Sequence, residues 1–120
     1  RGSVGTGNNV MIGGFITQGS EARRLLVRAL GPSLSQAGVP DVLADPTLEL
    51  RDGQGTLVDS NDDWTNSPDA AEIQNTGFAP GDGHEAVIVH TLPSGAYTAI
   101  VAGAGVQPTG TALMEVFQVQ

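Results

Sequence analysis

The sequence contains no cysteine. That removes a disulfide framework, thiolate metal sites and a cysteine nucleophile together, although a domain of this length can be stable outside the cell without bridges. Lysine is also absent: the five basic residues are all arginine, against thirteen acidic ones, for a formal net charge of −8. Five dispersed arginines cannot build the basic patch that nucleic acid or an anionic membrane surface requires, so neither is expected as a partner. Aromatic residues are scarce at 4%, which leaves few side chains to line a sugar-binding platform. The longest apolar runs, such as residues 25–27 and 99–102, are far too short to cross a bilayer, and no membrane insertion is expected. The chain opens on Arg1 without a methionine or signal peptide, as a processed product or a segment of something longer would.

What is present is a single domain's worth of chain, residues 1–120, with 39% hydrophobic and 15% charged residues, enough to bury a core and too apolar for disorder. The 17 glycines and 7 prolines punctuate it about every 8–12 residues, the rhythm of a β-sandwich or barrel. Strand-like runs cover residues 9–17, 24–30, 47–51, 56–59, 85–91, 96–102 and 111–119, and turn signals such as Gly31-Pro32, Asp52-Gly53 and Pro93-Ser94-Gly95 separate them. Residues 33–37 and 68–76 read as short helical turns, the second with Ser67 as a candidate N-cap and Gly77 as its stop. In residues 47–51, Leu48 and Leu50 face one way and Thr47, Glu49 and Arg51 the other. Residues 85–91, 96–102 and 111–119 are apolar on both faces, as expected in the middle of a packed body or at an interface with another subunit. The expectation is an all-β antiparallel sandwich of about seven to nine strands with one or two short helical turns.

Three constellations could carry chemistry. Asp52, Asp59, Asn61 and Asp63 form an acidic stretch whose oxygens could converge on Ca²⁺. The spacing is not that of an EF-hand, and a solvated hairpin with Asx-type turns is the leading expectation. Arg28 shares the parity of Leu26 and Leu30, and Glu115 lies between Leu113 and Phe117. If both side chains leave solvent, each needs the other, and a bidentate pair would lock strand register. His84 and His90 lie in a turn and at a strand end, with no H-E-x-x-H, G-x-S-x-G, P-loop or dinucleotide fingerprint around them. No enzyme activity and no required cofactor are expected. Trp64, directly after the acidic stretch, is expected first of all to pack in the core, with a ligand platform as the alternative reading.

Arg28-Ala-Leu-Gly-Pro-Ser-Leu34, Gly38-Val-Pro40, Leu43-Ala-Asp-Pro-Thr-Leu-Glu-Leu50, Asp52-Gly-Gln-Gly55 and Ser60-Asn-Asp-Asp-Trp64 carry a resemblance over essentially the whole chain. Together with Val10-Met-Ile-Gly-Gly-Phe-Ile16 and Leu92-Pro-Ser-Gly-Ala-Tyr97, they resemble the "RALGPSL"-type repeat domain of secreted and cell-surface bacterial proteins. Residues 48–101 are more distantly similar to the pre-peptidase C-terminal (PPC-like) sandwich. The resemblance implies a jelly-roll-like sandwich, an extracellular or cell-surface location, and calcium in some members; it transfers no catalytic residue.

Two functions are therefore expected to compete. The first is a structural subunit that self-assembles into a fibre or surface polymer, with copies of itself or tandem neighbours as partners. Its working parts would be strand edges and termini, among them Val10, Ile12, Phe15, Leu113 and Phe117, with residues 1–17 as an exchanged or edge N-terminal segment. The alternative is a calcium-dependent module, appended to an exported protein, that binds a glycan or protein.

Overall fold

In the computed structural model, which describes residues 1–119, each stretch expected to be extended forms a strand. The strands are β1 (Gly2–Val4), β2 (Met11–Thr17), β3 (Arg23–Leu30), β4 (Pro46–Arg51), β5 (Leu57–Asn61), β6 (Ala86–Leu92), β7 (Gly95–Gly103) and β8 (Gly110–Gln118). β1 is the addition: three residues among glycines carry no readable alternation.

The pairings β1–β8, β2–β7, β3–β6 and β4–β5 are all antiparallel. They describe one long hairpin with its tip at the β4–β5 turn. Folding that ribbon over on itself adds the β3–β8 and β4–β7 ladders. The result is two four-stranded sheets in the orders β1-β8-β3-β6 and β2-β7-β4-β5, the double-sheet jelly roll.

The inward residues of both sheets make the main core. Leu25, Val27 and Ala29 of β3 and Ala86 and Ile88 of β6 meet Leu48 and Leu50 of β4 and Tyr97, Ala99 and Val101 of β7. Excluding this apolar surface from water, at roughly 25 cal/mol per Å², is what holds the sheets face to face. The Tyr97 hydroxyl stays satisfied by donating to the Pro93 carbonyl at 2.7 Å.

A second core explains why β3 and β6 are apolar on both faces. The outward side of their sheet is roofed by the segment after β5, which holds a short 3-10 turn at Trp64–Asn66 and helix α1 (Ala70–Thr76). Leu26, Val87 and Val89 of the sheet bury against Trp64 and Ile73, with Phe78 and Phe117 stacked at 4.1 Å beside them. Gly77 ends α1 at φ 83°, as anticipated, but the N-cap is Asp69, and Ser67 instead accepts the Asp69 N–H through its hydroxyl. Arg24 of β3 pins the helix by donating to both Glu72 oxygens, at 2.9 and 2.5 Å. That pair holds the Glu72 carboxyl below its ordinary range.

The Gly31-Pro32-Ser33 turn leads into a 3-10 helix, Pro32–Ala37, and is built around a buried carboxylate. Glu85, fully buried at the head of β6, accepts the Gly31 and Ser33 N–H groups at 2.7 and 2.9 Å, the Asp82 N–H at 3.3 Å, and the Ser33 hydroxyl.

Candidate functional site

The four residues considered for calcium are not brought together. Asp52 sits at the β4–β5 tip, where one of its carboxylate oxygens accepts the Gln54 and Thr56 N–H groups and closes an Asx-type turn. Asp59 caps the Ser60 N–H. The side-chain oxygen of Asn61 accepts the Val87 N–H at 2.9 Å and ties β5 to β6. Asp59 and Asn61 lie in an extended strand, and their side-chain oxygens are taken up by the Ser60 and Val87 N–H groups and are not turned on a common point.

Asp63 instead joins Asp45 and Asp62, whose carboxylate oxygens all lie within 4.8 Å of one another. Asp45 precedes β4 and Asp62 follows β5, so the antiparallel β4–β5 pairing closes the cluster. Asp45 escaped the sequence reading because Asp45-Pro46 passes for a turn. The Asp62 carboxyl is raised above the ordinary aspartate range, first by lost hydration and then by the charge and hydrogen bond of Asp45. A groove of about 540 Å³ opens beside the cluster, lined among others by Glu49, Asn61, Asp62, Asp63 and Asn66.

His84 is exposed and close by. Its Nδ1 lies 3.1 Å from an Asp82 oxygen, and this hydrogen bond, followed by the charges of Asp82 and Asp63, raises the imidazole above the usual histidine range. A raised histidine favours the folded state below its unfolded value and loses that contribution as pH rises through the folded one. We expect NMR to place the His84 imidazole above the ordinary histidine range, and Asp82→Asn to return it to that range. A His84 midpoint left unchanged by Asp82→Asn would contradict this geometry.

Trp64 is not a ligand platform. Only 8% exposed, it packs in the second core and donates its indole N–H to the Asp82 carbonyl at 3.1 Å. Arg28 and Glu115 stand opposite each other in the β3–β8 register, with Arg28 Nε and Nη2 at 3.0 and 2.7 Å from Glu115 Oε1. They lie beneath the helical roof, where Arg28 also donates to the Phe78 carbonyl and sits 5.2 Å over the Phe117 ring. The pair thus joins two strands and the roof.

The edges differ from one another. β2 ladders with β7 over its whole length and, among the described residues, has no strand on its other side. It turns Met11, Gly13 and Phe15 inward and leaves Ile12 and Ile16 63% and 70% exposed. Phe15 stacks on Tyr97 at 5.7 Å, and Phe117, half-buried, packs against the second core and stacks on Phe78, so both rings are already engaged within the chain. Val10 and Leu113 are half-buried.

β8 lies inside its sheet but is only partly covered by β1. Nine residues long, it meets β1 only through Gly110–Ala112. Val119 donates to the Arg24 carbonyl on the β3 side. By antiparallel alternation Leu113, Glu115 and Phe117 also turn their main-chain groups to β3, while Met114 and Val116 turn theirs away. No strand lies beside Met114 and Val116 on that side among the described residues, and Val116 is 40% exposed. A Cβ on Gly13 would stand 2.3 Å from the Met114 methyl, so β8 and β2 present their open edges on the same flank of the sandwich.

Comparison of the chain with protein-family models, with curated proteins and with solved structures finds no match.

Proposed function

We propose that this domain is a non-enzymatic structural module of the cell exterior that associates with copies of itself, or with tandem neighbours, by strand addition. The observation that carries the reading is the open side of β8. There the main-chain donors and acceptors of Met114 and Val116 face outward beside a β1 that stops at Ala112. Unpaired main-chain groups on a flat strand are a template for another strand. Exposed Ile12 and Ile16 on the same flank would add apolar contact at the joint. Placement outside the cell rests on the resemblance to RALGPSL-type domains.

The test is sedimentation velocity over a concentration series, with negative-stain imaging of the concentrated sample. We expect concentration-dependent oligomers or fibres. Val116→Pro removes an N–H that faces the open side, so the β3 ladder stays intact. The variant should keep the native far-UV spectrum and remain monomeric at the highest concentration. A wild-type protein that is monomeric throughout, or a Val116→Pro variant that assembles equally well, would overturn the proposal.

A further inference from the structure

We infer that Asp45, Asp62 and Asp63 bind a hard divalent cation, Ca²⁺ in preference to Mg²⁺, at the junction of β4 and β5. The first observation is the convergence of three carboxylates within 4.8 Å. The second is independent of it: one oxygen of Asp45 and one of Asp63 are closed off from solvent and accept no hydrogen bond. A carboxylate oxygen removed from water needs a donor or a cation.

The chain supplies no such cation. It has no lysine. Arg23 is bonded to the Gln18 carbonyl, and Arg24, Arg28 and Arg51 are paired with Glu72, Glu115 and Glu49. Arg1 leads into β1 in the other sheet. His84 is held by Asp82.

The donor set decides the kind of ion. Carboxylate oxygens without thiolate favour Ca²⁺ or Mg²⁺ over zinc and copper. Ca²⁺ accepts an irregular shell of six to eight oxygens, mono- or bidentate, whereas Mg²⁺ demands a near-ideal octahedron. Three carboxylates at the edge of an open groove suit the former, with water completing the shell. The ion would fasten the start of β4 to the end of β5. It does not depend on self-association, so it is tested on dilute protein.

Trp64, the only tryptophan, directly follows Asp63, which makes Tb³⁺ the natural probe. Excitation of Trp64 should give sensitised terbium emission that Ca²⁺ displaces at lower concentration than Mg²⁺. Millimolar Ca²⁺ should also raise the melting temperature of chelator-treated protein by about 5 °C or more, the scale of a site filled well above its Kd. Asp63→Asn should lose both responses. Asp62→Asn, at an exposed position and so compatible with folding, should melt higher than wild type in chelator because a like charge is gone, and should not respond to Ca²⁺. Absence of sensitised emission and of any melting shift in the wild type would overturn the inference, as would a full response in Asp62→Asn.

Discussion

Glu85→Ala is expected to lower the unfolding free energy by about 4–5 kcal/mol, which leaves little of the 5–15 kcal/mol typical of a domain. Four donors converge on this one buried carboxylate: the N–H groups of Gly31, Ser33 and Asp82, and the Ser33 hydroxyl. Alanine orphans all of them at a site closed to water, and each buried unsatisfied group costs about 1–3 kcal/mol. A cavity adds to the loss. Glu85→Gln should cost less, about 2 kcal/mol. Its amide oxygen can still accept from Gly31 and Ser33, and its NH2 can donate to the serine hydroxyl, while only the Asp82 N–H is left opposed. Denaturant melts of both variants check the order. Equal losses, or a glutamine variant as stable as wild type, would mean the carboxylate does not hold the turn.

Gly31→Ala is the second large effect, at about 3 kcal/mol or more. Gly31 is not in the left-handed region, with φ −138° and ψ −77°. The obstacle is steric: a Cβ at Gly31 would lie 2.0 Å from the Leu43 carbonyl oxygen and 3.1 Å from its carbon. Both are main-chain atoms, so the Leu43 segment must move, and overpacking of this kind costs upward of 1–3 kcal/mol. That segment is attached to β8, where Leu43 donates to the Thr111 carbonyl and Thr111 to the Asp41 carbonyl, each at 2.9 Å. The substitution should therefore loosen the start of the strand whose open side is proposed to mediate assembly. Gly81→Ala is the control, because its Cβ would meet only the Ser33 hydroxyl at 3.8 Å. It should change stability by less than about 0.5 kcal/mol.

The architecture was largely legible from the alternation of Leu48 and Leu50 and from the glycine–proline punctuation, because both follow from local backbone geometry. Strand order was not. Gly2 pairs with Ala112, a partnership created by folding the ribbon on itself that no local pattern encodes. The two-sided apolarity of residues 85–91 was visible, but its cause lay in the 64–79 segment that roofs the sheet; Trp64 takes the core-packing reading, while Phe117, an assembly candidate by sequence, is half-buried against that second core. The acidic site was half legible. Asp63 stood out, but Asn61 was spent on the Val87 amide and Asp45 came from a distant turn. Glu85 passed for the polar start of a strand, since nothing in the sequence reveals that four donors surround it. Parity suggested an Arg28–Glu115 pair, because residues of matching face meet directly when two strands are in register, but the adjacency of β3 and β8 that brings them together was not legible.

Strand addition at β8 is tested most directly by amide hydrogen exchange at Met114 and Val116, compared between dilute and concentrated protein. If β8 accepts a strand, these two amides exchange rapidly in the dilute monomer and become strongly protected on association. The amides of Glu115 and Phe117, which face β3, are protected in both states. Rapid exchange at Met114 and Val116 in an associated sample would contradict strand addition at this edge, as would protection already complete in the monomer.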